Sequence, residues 1–88
     1  MMRFNIKALA FSCGLLWGGA LLVVGLMNLI WAGYGQGFLD VVASFYPGYH
    51  ATASIGEVLI ATVYGALDGL VGGAVFAWLY NRLAESVS

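Results

Sequence analysis

Leu15-Leu16-Trp17-Gly18-Gly19-Ala20-Leu21-Leu22-Val23-Val24-Gly25-Leu26 forms the centre of a run from Ala8 to Ala32 with no charged residue. Asn28 is its one strongly polar residue. A helix needs roughly 20 apolar residues to cross about 30 Å of hydrocarbon, so this run predicts a transmembrane helix over 8–32. Trp31 and Tyr34 then mark an interface, where amphipathic rings settle at headgroup level. Arg3 and Lys7 precede the run as they would precede a secretory signal. The run is far longer than the roughly 7–15 apolar residues of a signal core, which makes it an expected anchor.

A second apolar run, 55–80, closes with the aromatic pair Trp78 and Tyr80, followed by Asn81-Arg82 as a polar stop. Its insertion is weaker. About ten apolar residues at roughly -0.5 kcal/mol each must offset Asp68, which costs about +3 kcal/mol near the bilayer centre. Several glycines lower the balance further, so this helix is expected to need a partner helix to stay in the bilayer. The expected fold is an all-α membrane protein, a two-helix transmembrane hairpin in a single domain spanning 1–88.

The connecting segment, 33–54, is too short to be a domain. Gly33, Gly35 and Gly37 open it, and Phe38, Val41, Val42 and Phe45 recur at helical spacing. That pattern predicts a short interfacial helix over 38–46, ended by Pro47-Gly48, the central pair a type II turn prefers. Arg3, Lys7 and Arg82 flank the spans while the loop has no Lys or Arg. By the positive-inside rule both termini are expected in the cytoplasm of a bacterial inner membrane, with the tail 81–88 inside and the loop outside.

A composition that is 62% hydrophobic and 8% charged excludes an ordinary soluble domain, which carries about a quarter charged residues. Three basic residues cannot make a nucleic-acid patch. Cys13 is the only cysteine, so an intrachain disulfide is impossible, and a small packing role is expected for it. No nucleophile–base pair, phosphate loop or metal cluster stands out. No enzymatic activity, no metal and no cofactor are expected.

Glycine spacing is more informative. Ala61, Gly65, Gly69, Gly73 and Ala77 recur every four residues, and Gly14, Gly18 and Gly25 mark one side of the first span. Small residues at this spacing let helix backbones approach closely in lipid, where packing replaces the hydrophobic effect. If the two spans begin and end together, paired residue numbers add to about 87 or 88. Gly14 would then lie level with Gly73, Gly18 with Gly69 and Gly25 with Thr62.

Asp68 stands out as the candidate functional residue, because an ionisable group in mid-membrane is costly. Glu57 is eleven residues earlier and shares its helix face, as do Tyr64 and Gly72. With no basic residue at its level, Asp68 is expected to be neutral, bonded to backbone or Tyr64, or paired with another subunit. Glu57, near the outer interface, is expected to be solvated, and a lone loop His50 is expected to bind no metal.

Gly14-Leu15-Leu16-Trp17-Gly18, Ser44-Phe45-Tyr46-Pro47-Gly48-Tyr49 and Tyr64-Gly65-Ala66-Leu67-Asp68-Gly69, together with Gly73-Ala74-Val75-Phe76-Ala77-Trp78-Leu79-Tyr80-Asn81-Arg82-Leu83, resemble a family of small two-span bacterial membrane proteins. The family has no known function, and some members are labelled bacteriophage holin. That resemblance implies a self-associating membrane protein with both termini cytoplasmic, though the usual charged holin tail is replaced here by Ala84-Glu85-Ser86-Val87-Ser88. The carboxylate in the second span is also similar to that of rotary ATP-synthase proteolipids, whose loop is instead short and polar.

Three functions follow as expectations. The leading one is a homo-oligomer joined through glycine-rich helix faces, as a holin-like pore or membrane scaffold. The others are an accessory subunit on a larger membrane complex and an oligomer carrying protons or cations on Asp68. The lipid bilayer is a partner in all three, and nucleic acid in none.

Overall fold

The computed structural model describes residues 3–87. They form three helices, α1 (Ile6–Ile30), α2 (Gln36–Phe45) and α3 (Ile55–Val87). α1 and α3 are each long and apolar enough to cross a membrane, and they pair as an antiparallel hairpin. α2 lies in the connection, as the periodicity of that segment predicts. The chain is an all-α membrane hairpin with a short loop helix.

Local chemistry explains why the helix ends differ from those expected. Asn5 caps α1, its side chain accepting from the Ala8 N–H at 2.9 Å, so the helix starts at Ile6 and takes Lys7 into its first turn. It stops at Ile30 instead of Ala32. Trp31 is extended, and Gly33 (φ 85°) and Gly35 (φ 63°) then turn the chain back through a backbone region that glycine enters at little cost.

α3 begins at Ile55, where the second apolar run begins, and continues as helix beyond residue 80 to Val87. The supposed polar stop, Asn81, is buried inside the helix. Its side chain accepts from the Phe4 N–H and donates to the Phe4 carbonyl, both at 2.9 Å. Arg3 and Glu85 pair at 2.7 Å beside this clamp. The tail expected at 81–88 is therefore helical through Val87, while Ser88 lies outside the described residues.

Small residues line the hairpin seam. A Cβ placed on Gly14 would lie 2.9 Å from the Ala66 carbonyl, one on Gly18 3.0 Å from the Ala66 nitrogen, and one on Gly73 2.9 Å from the Ala10 Cα. Gly69 presses on the backbone of Cys13 and Gly14. Gly25 faces the Val58 side chain, and Gly65 faces Leu21 and Gly18. Ala61 and Ala77 are buried in the same seam.

The register differs from the one expected. Gly14 meets Gly69 instead of Gly73, Gly18 meets Gly65 instead of Gly69, and Gly25 meets Val58 instead of Thr62, so paired numbers add to about 83. A stripe of period four looks the same after a one-turn slide, so small-on-small contact alone leaves the register open. Fixed clamps outside the stripe, such as Asn81 on Phe4, choose between the alternatives.

The loop adds no length to the molecule. Its long axis is 51 Å, which matches the roughly 50 Å of a 33-residue helix at 1.5 Å per residue. α2 therefore lies alongside the hairpin, against the half nearer the loop. Leu39 and Val42 face inward and are buried, whereas Phe38, Val41 and Phe45 face out. Val42 stands at the inner edge of the apolar arc it shares with Phe38, Val41 and Phe45, so one broad apolar face is partly buried on the hairpin and partly exposed, with Asp40 and Ser44 on the exposed side. Leu21, Val42, Tyr46, Tyr49 and Ala61 form the small core beneath it.

A candidate site where the loop meets Asp68

One flank of α3 carries Glu57, Tyr64 and Asp68, brought into line by spacings of seven and four residues. All three bond to the loop. Glu57 accepts from the His50 N–H at 2.7 Å, and its other oxygen lies 3.5 Å from the His50 ring. Tyr64 donates to the Pro47 carbonyl. Asp68 accepts through Oδ2 from the Tyr46 hydroxyl at 2.8 Å. The expected solvated Glu57 is in fact a clasp, and the expected bond between Asp68 and Tyr64 or backbone is replaced by one to Tyr46.

Tyr46 is held on every side. Trp17 Nε1 donates to its hydroxyl at 2.8 Å, and its ring stacks on Tyr64 with centroids 4.9 Å apart and planes 10° from parallel. Trp17 in turn meets Phe38 edge-on at 5.9 Å. Gly48 (φ 86°) lets the chain reverse directly after Tyr46, and Tyr49 N–H closes the turn on the Tyr46 carbonyl at 3.1 Å. Burial is the main effect raising the Tyr46 phenol above its ordinary value. The Asp68 carboxylate adds to it and the Trp17 donor opposes it. Burial, with the Glu57 and Asp40 carboxylates behind it, raises Tyr49 likewise.

The other end of the loop hangs on Asn28. This buried amide donates to the Tyr34 carbonyl at 2.8 Å and to Gln36 Oε1 at 3.2 Å. Gln36 passes the link on, donating to Asp40 and to the Ala51 carbonyl at 2.8 Å each. A carboxamide with both donor and acceptor groups suits this relay.

Below Tyr46 the same lateral groove is open. Cys13, Leu16, Trp17, Gly72 and Phe76 enclose with Asp68 a cleft of about 530 Å³. Asp68 is exposed there, and among the described residues nothing donates to its Oδ1. A Cβ on Gly72 would meet nothing within 4 Å.

No family model matches this chain, and no curated protein or solved structure is significantly similar to it. The site therefore rests on its own geometry. Among the described residues no three His, Cys, Asp or Glu side chains gather as metal ligands.

The remaining sequence candidates lie apart from Asp68. Trp31 and Tyr34 are exposed at the loop end with rings 6.4 Å apart, and at the opposite end Trp78 and Tyr80 are exposed, Arg82 standing 5.7 Å over the Trp78 ring. Sequence reasoning missed Tyr46, Trp17 and Gln36 as site residues. One signal was present: an aromatic hydroxyl drawn into an apolar setting needs an acceptor, and Asp68 is the only carboxylate in the middle of either span.

Proposed function

We propose that the chain is a non-enzymatic integral protein of the bacterial inner membrane that self-associates laterally, as a holin-like pore or membrane scaffold. The observation that carries this reading is the outward face of α3. There Leu59, Ile60, Val63 and Leu67 stand exposed, alternating with the buried Val58, Ala61 and Gly65, and with Tyr64 line an apolar groove of about 340 Å³. Helices associate in lipid by packing ridges into such grooves. The glycines expected to join subunits are taken up inside the hairpin, so the contact between copies uses these branched side chains instead.

Cytoplasmic termini are part of the proposal. Arg3, Lys7 and Arg82 gather at the end where the termini meet, and the loop end has Asp40 and Glu57 but no Lys or Arg, which supports that orientation. The mass of the complex in a mild uncharged detergent tests the assembly. A multiple of the 9.3 kDa chain is the expected result. A single copy, alone or beside larger chains, would overturn it in favour of an accessory subunit. Labelling of single cysteines placed at His50 and Ser88 should report opposite sides of the membrane.

A further inference from the structure

We propose that the open cleft below Tyr46 binds a small hydrophobic organic cation, a protonated or quaternary amine with an apolar body. The argument begins with charge. Asp68 is the only carboxyl group lining the cleft; every other lining residue is apolar, aromatic, glycine or Cys13. Tyr46 holds one carboxylate oxygen and is itself fixed by Trp17, so the second oxygen is presented in a set position. A preset acceptor loses little freedom on binding.

The walls suit the same ligand. Trp17 and Phe76 offer aromatic surface on two sides of the cleft, and a cation is attracted to an aromatic face, more strongly where water is excluded. The volume of about 530 Å³ falls within the roughly 300–1,000 Å³ of small-molecule sites. Depth selects against a phospholipid headgroup, since Asp68 lies about 20 Å along α3 from Ile55, at mid-hairpin. A cation with its own apolar body reaches that level through the bilayer. This cleft shares no lining residue with the groove assigned to self-association, so the two readings stand or fall separately.

The probe is tetraphenylphosphonium, titrated calorimetrically into the full chain in uncharged detergent, with the isosteric anion tetraphenylborate as control. Saturable binding of the cation, near one per chain, and no saturable binding of the anion are expected. Asp68→Asn should weaken cation binding at least tenfold, while its amide oxygen still accepts from Tyr46 and keeps the loop docked, as amide exchange over 36–54 would show. Gly72→Leu, which fills the cleft without touching the hairpin seam, should abolish binding. Equal binding of the anion, an unchanged affinity in both variants, or no saturable binding to the parent chain would overturn the proposal. Because complex mass is read independently, failure here leaves the self-association reading intact.

Discussion

The Tyr46 hydroxyl donates a 2.8 Å hydrogen bond to Asp68, joining residues 22 positions apart and tying the loop to the middle of the second long helix. This bond lies at a boundary. Outward of it the groove between α1 and α3 is filled by the loop, and inward of it the groove is open.

Tyr46→Phe should release the loop and leave the hairpin in place. The substitution removes the donor to Asp68 and the acceptor for Trp17 Nε1 while keeping the ring on Tyr64. A loss of about 1–2 kcal/mol in loop docking is expected, the usual net contribution of two partly buried hydrogen bonds. Amide exchange should quicken across 36–54 and stay slow within α1 and α3. Unchanged protection of the loop would show that the bond does not hold it.

Alkali should weaken the same docking. The Tyr46 phenol is raised in the folded chain, so its stabilising contribution is complete below the unfolded value of about 10 and is lost as pH rises through the folded value. Thermal melts in detergent from about pH 8 to about pH 11 should fall above about pH 10. Tyr46→Phe should flatten part of that fall, with Tyr49, also raised, supplying the rest. A parent chain indifferent to this range would contradict the assignment.

Two glycines three positions apart should behave oppositely. Gly69→Ala drives a methyl group into the backbone of Cys13 and should cost about 1–3 kcal/mol by forcing the helices apart. Gly72→Ala meets nothing within 4 Å and should be neutral, or stabilise by up to about 1 kcal/mol through helix propensity. Melting temperatures of the two variants decide the matter. Equal shifts would mean that the backbones do not meet where the seam places them.

Asn81→Leu should loosen the N-terminal end. It removes both hydrogen bonds to Phe4 but keeps the helix, so amides at 4–9 should exchange faster while the centre of α3 does not change. The ring contact of Phe4 with Tyr80, centroids 4.6 Å apart, would remain, which limits the expected loss to about 1–2 kcal/mol. Protection of residues 4–9 equal to that of the parent would remove Asn81 from the account of the helix register.

The sequence by itself determined the class of fold. Two runs long enough to span hydrocarbon, a loop with helical spacing between them and a four-residue rhythm of small residues each express a local rule that needs no partner to be legible. Pro47-Gly48 announced its turn in the same way, and Asp68 announced itself by being costly where it stands. Tertiary structure decided which turn of α1 meets which turn of α3, because a period-four stripe is indifferent to a one-turn slide and only contacts such as Asn81 with Phe4 break the tie. It also decided that α2 lies along the hairpin, since an amphipathic pattern shows which face seeks apolar surroundings and not whether lipid or the hairpin supplies them. The partner of Asp68 belongs to the same category. Tyr46 reaches it only because the loop folds back, and a hydrogen bond between groups 22 residues apart is set by that docking and by no spacing in the chain.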